Sequence, residues 1–280
     1  MKLININLLL ILLSNLGFIK AIKKPWEDNP LFSKYWNENL ECVTNISEFN
    51  DGFGSQYQNI IATAIYAELT NKKFVYSPFQ NMEHNYDADP MFLEKKEWLI
   101  NFKNNFEINS EKNATLVDEC KYFFDNNIKL AASSQVLKKI KKIFKENKDL
   151  DNFFDNNYFN ISIHVRRPNS DDNRIYGTDV PIEIYINIIN NLRKIYFDKN
   201  LLFHIYSQGH EMNFTEFNSL DTVLHLNESV EDTFIGMVAA KVLVVAPSSF
   251  SWVAGIISDG EVYYIPFWHT PLPHWICAIG

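Results

Sequence analysis

Apolar and polar residues alternate with the period of a strand through Asn160-Ile-Ser-Ile-His-Val-Arg166. On such a strand His164 and Arg166 share one face, while Ile163, Val165 and Arg167 share the other. Pro168 stops the ladder, because it lacks an N–H and biases Arg167 toward an extended conformation. From Asn160 onward the pattern is regular. A helix is expected with Asp179 as its cap, Pro181 in its first turn and an inner face of Ile182, Tyr185, Ile186, Ile189 and Leu192. Strands follow at 201–206 and 221–226, and Ser229 with Asp232 opens a helix through Ala240 in the manner of a capping box. Leu243, Val244 and Val245 read as a fully buried strand. Ser248-Ser-Phe-Ser-Trp-Val-Ala-Gly255 opens the next helix, and 262–265 is the last strand expected.

The first half alternates in the same way with less regularity. A strand at 41–48 leads into Asp51-Gly-Phe-Gly-Ser-Gln56. Next comes a helical face of Ile60, Ile61, Ala64, Ile65, Ala67 and Leu69, then a strand at 72–77. Strand, glycine turn, helix and strand make a βαβ unit. Residues 78–127 mix aromatics, acids and Asn, with a helix at 91–102 as their one clear period. A further helix is expected at 133–148, with Val136, Leu137, Ile140, Ile143 and Phe144 inward and its lysines in solvent. The acidic, Asn-rich stretch 149–157 reads as a linker. Strands separated by helices imply an α/β fold, with parallel sheets covered by helices on both faces.

The chain has 280 residues, 46% of them hydrophobic and 15% aromatic, which suffices for one large or two ordinary domains. A net charge of −8 argues against nucleic acid as a partner, since phosphate backbones select basic surfaces. Cys42, Cys120 and Cys277 have no metal-ligand spacing, and either one disulfide or three thiols fits them. Lys2 precedes an apolar run from Leu3 to Ile19, so residues 1–22 are expected to be a signal sequence or membrane anchor, with a buried N-terminal element as the rival. Sequons at Asn45, Asn113, Asn160, Asn213 and Asn227 suit a secretory lumen or a secreted protein, although Asn160 opens the central strand and is a poor glycan acceptor.

Three turns fall at the carboxyl ends of expected parallel strands: His164/Arg166/Arg167, Ser207-Gln208-Gly-His210 and Ala246-Pro-Ser248-Ser249-Phe250-Ser251. Arg binds phosphate through two parallel hydrogen bonds, and a serine-rich helix start offers hydroxyls and free N–H groups to an anion. Together they suit a diphosphate. Taken singly, the arginines also read as exposed ion pairs, the serines as plain caps and the glycine turn as only a turn.

The HVRR strand end, the DGFGSQYQ turn and SSFSWVAG together resemble, over about residues 50–265, the fucosyltransferases that use GDP-fucose, nearest to the α-1,2 enzymes. The resemblance implies two Rossmann-like lobes of the GT-B type with a cleft between them: 41–150 on the acceptor side and 158–280 on the nucleotide-sugar side. It implies that Arg166 neutralises the leaving β-phosphate, with Arg167 nearby, and that His164 lies against the nucleoside. Ser248, Ser249, Phe250 and Ser251 would hold the diphosphate, and Gly52, Gly54 and Gln56 would approach the donor from the other lobe. Ser207 and Gln208 stand where the family has an acid that reads guanine. Pro168 and Asn169 replace its usual Gly-Asp, which leaves Asp171 or Asp172 to supply the acid. The implied partners are a nucleotide sugar and a glycan or glycoprotein acceptor, with membrane association only through the N-terminal segment. No cofactor is expected and no metal, Asp87-Ala-Asp89 being read as surface acids. His84, Asp87 and Asp51 are the base candidates. The rivals are a transferase using another nucleotide sugar and a silent glycan- or nucleotide-binding module.

Overall fold

The computed structural model describes residues 42–46, 50–85, 87–109, 114–116, 120–167 and 180–279. Among the described residues the strands form two parallel sheets. The smaller holds β1 (Cys42–Thr44), β2 (Lys73–Val75) and β3 (Thr115–Leu116) in the order β2-β1-β3. The larger holds β4 (Phe159–His164), β5 (Leu201–Ser207), β6 (Thr222–Leu226), β7 (Val242–Val245), β8 (Glu261–Tyr264) and β9 (Ile276–Cys277). Its order is β6-β5-β4-β7-β8-β9. The chain therefore leaves β4 in one direction and returns to its other side at β7. Between those two strands lies a topological switch point, where an open parallel sheet leaves a crevice for ligand.

The helices are α1 (Phe53–Leu69), α2 (Phe92–Ile100), α3 (Cys120–Asn126), α4 (Ile128–Ser133), α5 (Gln135–Lys145), α6 (Ile182–Ile195), α7 (Val230–Ala239) and α8 (Ser249–Ile257). A short 3-10 segment spans Glu211–Phe217. The core around β4 joins Ile161, Ile163 and Val165 to Phe203, Ile205, Val242 and Val244, with Tyr185, Ile188, Ile189 and Leu192 of α6 laid over them. On α6, Ile188 takes the buried place expected of Ile186. Helix α8 is buried from Ser251 to Ile257 and packs against both α1 and α7, so an apolar sequence all round is what its position requires.

Several expectations shift. Helix α1 begins inside the glycine turn, at Phe53, rather than near Ile60. The helix expected at 133–148 is α5, shorter at both ends, because Ser134 leaves the helical region and caps it, its Oγ accepting from Leu137 N at 3.0 Å; α4, just before it, was not expected. Pro181 sits at the N-cap of α6, one place before the first turn. The strand after Gly260 is followed by β9, too short to show a period. The lysines of α5 are not all solvated: Lys141 reaches Ser258 O at 2.7 Å and Lys145 pairs with Asp259. Beyond the helix end, Lys148 lies over the Phe144 ring at 4.1 Å. Ser229 caps α7 as expected, accepting from Asp232 N at 3.0 Å. The N-terminal segment, Asn113, Pro168, Asn169, Asp171, Asp172 and Asp179 lie outside the described residues. No described helix is long and apolar enough to cross a membrane. Among the described residues Cys42, Cys120 and Cys277 form no disulfide. Two sequons are closed to glycans: Asn45 and Asn160 are buried, and their amides are held by Ser77 and by the carbonyls of Asp155 and Tyr158.

Candidate functional site

The site grows out of the switch point. The β4 ladder runs one residue past the strand, Val165 N donating to Tyr206 O at 2.9 Å, and then the two arginines leave the sheet. Strand alternation no longer governs them, so both face the same cavity, contrary to the expectation of opposite faces. Arg166 Nη1 donates to Ser248 Oγ at 3.2 Å, across the gap between β4 and β7. Ser248 is the N-cap of α8 and also accepts from Phe250 N at 3.3 Å. Arg167 turns toward Phe214 and donates to Val180 O at 3.1 Å. Ser207 is spent on architecture: its Oγ donates to Val165 O at 2.6 Å, tying the ends of β5 and β4 together. Gln208 beside it is exposed on the cavity rim.

The facing wall is the start of α1. Gly52 N donates to Asp51 Oδ1 at 2.7 Å, and a Cβ on Gly52 would stand 2.9 Å from the His84 ring. Gly54 lies against the start of α8, where a Cβ would come within 2.5 Å of Phe250 Cα and 2.8 Å of the Ser249 carbonyl carbon. Only a residue without a Cβ lets these two helix starts meet. Two helix starts, each the positive end of a helix dipole, therefore flank one cavity beside Arg166.

Burial, and after it the Arg166 charge, hold His164 down to about 3, so this imidazole is neutral at physiological pH. Its ring meets Phe250 edge-on at 5.8 Å, and its Nδ1 has no hydrogen-bond partner among the described residues. Lys121 donates to Ser55 Oγ at 2.6 Å, behind the glycine turn, its pKa lowered by burial and raised in part by Asp51 and Asp125.

The structure thus brings Gly52, Gly54, His164, Arg166, Arg167, Ser207, Gln208, Ser248, Ser249 and Phe250 to one cavity of about 200 Å³. Gln56 and Ser251 do not line it. Gln56 is buried and pins the turn, its Nε2 donating to Asp51 O at 2.9 Å and Asn81 O at 2.7 Å. Ser251 is fully buried, its Oγ 3.4 Å from Ala246 O. Of the base candidates, Asp51 and His84 reach the cavity and Asp87 does not. Asp89 is engaged by Lys95 at 2.6 Å. Among the described residues no three His, Cys, Asp or Glu side chains are grouped to hold a metal ion.

Sequence reasoning missed Glu83, Glu228 and Trp268, which also line the cavity. Glu228 was findable as the second residue beyond the end of β6; nothing local marks Trp268. Glu228 is held by His225, whose Nδ1 lies 2.7 Å from Oε1, and His225 Nε2 meets His204 Nδ1 at 2.9 Å. Asn160 Oδ1 accepts from His204 Nε2 at 2.9 Å, its amide nitrogen being committed to two carbonyls. This row braces β4, β5 and β6 at a polar seam inside the sheet.

No protein-family model matches the chain, and no curated protein does. Among solved structures it is similar to the NodZ α-1,6-fucosyltransferase co-crystallised with GDP, at 12% identity and a TM-score of 0.39 over 78% of this chain and 92% of that one. The same enzyme soaked with GDP-fucose gives 13% identity and a TM-score of 0.41 over the same shares. A third structure, from Bradyrhizobium, gives 12% and 0.40 over 84% of this chain and 97% of that one. Likeness this faint carries no inference about ligand or linkage.

Proposed function

We propose that the chain is a glycosyltransferase that moves a sugar, fucose first among candidates, from a nucleoside diphosphate to a glycan hydroxyl. The observation that carries this reading is the Arg166–Ser248 contact across the β4/β7 switch point, with the α1 and α8 starts meeting at Gly54. A diphosphate seated there receives a guanidinium from one strand end and N–H groups from the next. In this reading residues 41–150 form the acceptor lobe and 158–280 the donor lobe, facing each other across the cavity. The reaction is an inverting displacement without metal. The acceptor oxygen attacks the anomeric carbon, the glycosidic electron pair leaves with the diphosphate, and Arg166 neutralises the charge that builds there. His164, neutral, packs against the nucleoside. The acceptor is a glycan or glycoprotein, met in the lumen of the secretory pathway to which the N-terminal segment directs the chain.

A second reading, another nucleotide sugar on the same scaffold, is favoured by Gln208, which offers an amide where a carboxylate would read guanine. Calorimetry with GDP, UDP and ADP separates the two, followed by a transfer screen with the matching nucleotide sugars. Tighter binding of GDP, with fucose transfer, supports the first reading. Tighter binding of another nucleotide moves the assignment to the second, and no nucleotide binding at all removes both.

A further inference from the structure

A hydrogen-bonded row lies behind Ser249, out of the cavity. Ser249 Oγ is 2.9 Å from His269 Nε2, and Trp268 Nε1 is 3.2 Å from the same nitrogen. An indole N–H only donates, so Nε2 carries the lone pair and the proton sits on Nδ1. Nδ1 faces Asp125 Oδ2 at 4.0 Å and the Gln58 amide at 3.2 Å. Gln58 Oε1 and Asp125 Oδ1 are both buried without a hydrogen-bond partner among the described residues. Half a turn of the Gln58 amide brings Oε1 onto the Nδ1 proton, the kind of exchange that heavy-atom positions leave open. The imidazole is only 9% exposed and packs on the Trp252 ring at 4.9 Å. A buried histidine with its basic nitrogen on a cavity hydroxyl, and a carboxylate behind it, is arranged to accept a proton.

We infer that Ser249, His269 and Asp125 form the route by which the acceptor hydroxyl loses its proton, an inference that rests on the transfer reading above. As the acceptor oxygen bonds to the anomeric carbon and the diphosphate departs with the glycosidic electron pair, the acceptor proton passes to Ser249 Oγ. The half-exposed Trp268 indole releases His269 Nε2, the Ser249 proton passes to that lone pair, and the imidazolium faces the Asp125 carboxylate. Trp268, half-exposed on the same cavity, offers a flat apolar face to the C–H side of the acceptor ring. Ser249 touches the acceptor; His269 and Asp125 are positioning residues that act through it.

The test uses the full chain, with His269→Gln and Asp125→Asn as variants. Long-range proton–nitrogen NMR of the wild-type protein is expected to show His269 protonated on Nδ1 and bare on Nε2. His269→Gln should bind GDP within about twofold of wild type while kcat for transfer falls about 10²–10⁴-fold, the size of a lost proton acceptor. Asp125→Asn should lie between the two, and serves if His269→Gln does not fold. A proton found on Nε2, or a variant that binds GDP and turns over like wild type, overturns the relay and leaves the transfer reading intact. Wild-type protein that binds none of GDP, UDP and ADP ends the transfer reading, and the relay with it.

Discussion

Gly54→Ala is a small substitution with a large expected consequence. The added Cβ lands 2.5 Å from Phe250 Cα and 2.8 Å from the Ser249 carbonyl carbon, and closer still to the Phe250 nitrogen. Ordinary contact begins near 3.4 Å, so the start of α8 must retreat by about 1 Å, because packed backbone cannot rotate aside as a side chain can. Helix propensity favours alanine over glycine by about 1 kcal/mol at most, and less in a first turn such as this. Overpacking of this kind costs about 1–3 kcal/mol, so the clash wins. Each kcal/mol lowers Tm by about 2–4 °C in a chain of this size. The larger effect is on function. A shift of this length separates Ser248 from Arg166, and misplacement by about 1 Å is worth about a hundredfold in rate. The assay is Tm by calorimetry beside GDP affinity and transfer rate. Gly260→Ala is the control: its Cβ meets the carbonyl oxygens of Ala240 and Lys241 at 2.5 and 2.7 Å, and Gly260 does not line the cavity. It should destabilise comparably and leave GDP affinity unchanged. If Gly54→Ala keeps wild-type Tm and GDP affinity, the two helix starts do not meet as described.

Three further outcomes follow from the same structure. Lys96, 2% exposed, pairs with Glu231 at 2.6 Å and joins α2 to α7. Lys96→Met strands that carboxylate and should cost about 3–5 kcal/mol in urea unfolding, most of it recovered in Lys96→Met/Glu231→Leu. Burial, then Arg166 for His164 and His225 for His204, holds these two histidines down to about 3 and about 4. Their folded values lie below the unfolded one near 6.5, so the unfolded chain binds protons that the native chain refuses, and stability falls as pH drops below about 6.5. The slope is at most about 1.4 kcal/mol per pH unit for each histidine, less for partial exposure, and His164→Asn should make it shallower in urea melts at pH 7 and 5; a level profile contradicts this. Ser248→Ala removes both the α8 cap and the Arg166 contact, and should cost about 1 kcal/mol of stability and about tenfold in GDP affinity, read by the same calorimetry.

The second half of the chain was legible because its elements obey one period each. The alternation at 160–166 and the Ser229–Asp232 cap need only neighbours in sequence to be recognised, and the large sheet follows from them. The first half resists because its elements are short. Strands of two or three residues such as β3 show no period, and α3 is hidden among asparagines and aromatics whose local preferences compete. Ser134 ends α4 and caps α5, and its Oγ reaches Glu68 far back in the chain, a contact that no local pattern shows. At the site, Arg166 and Ser248 could be named because each stands at a strand end. Gln56 and Ser251 stand off the cavity that their neighbours line, because proximity in sequence says nothing about which way a side chain turns. His269, Asp125 and Gln58 were invisible, coming from three distant segments that only packing brings together.

Calorimetric titration of GDP into wild-type chain and Arg166→Ala is the most direct trial of the diphosphate clamp. Removing a charged, part-buried partner of this kind should weaken binding by about a hundredfold or more, with Tm little changed. Equal affinities in the two proteins would contradict the account.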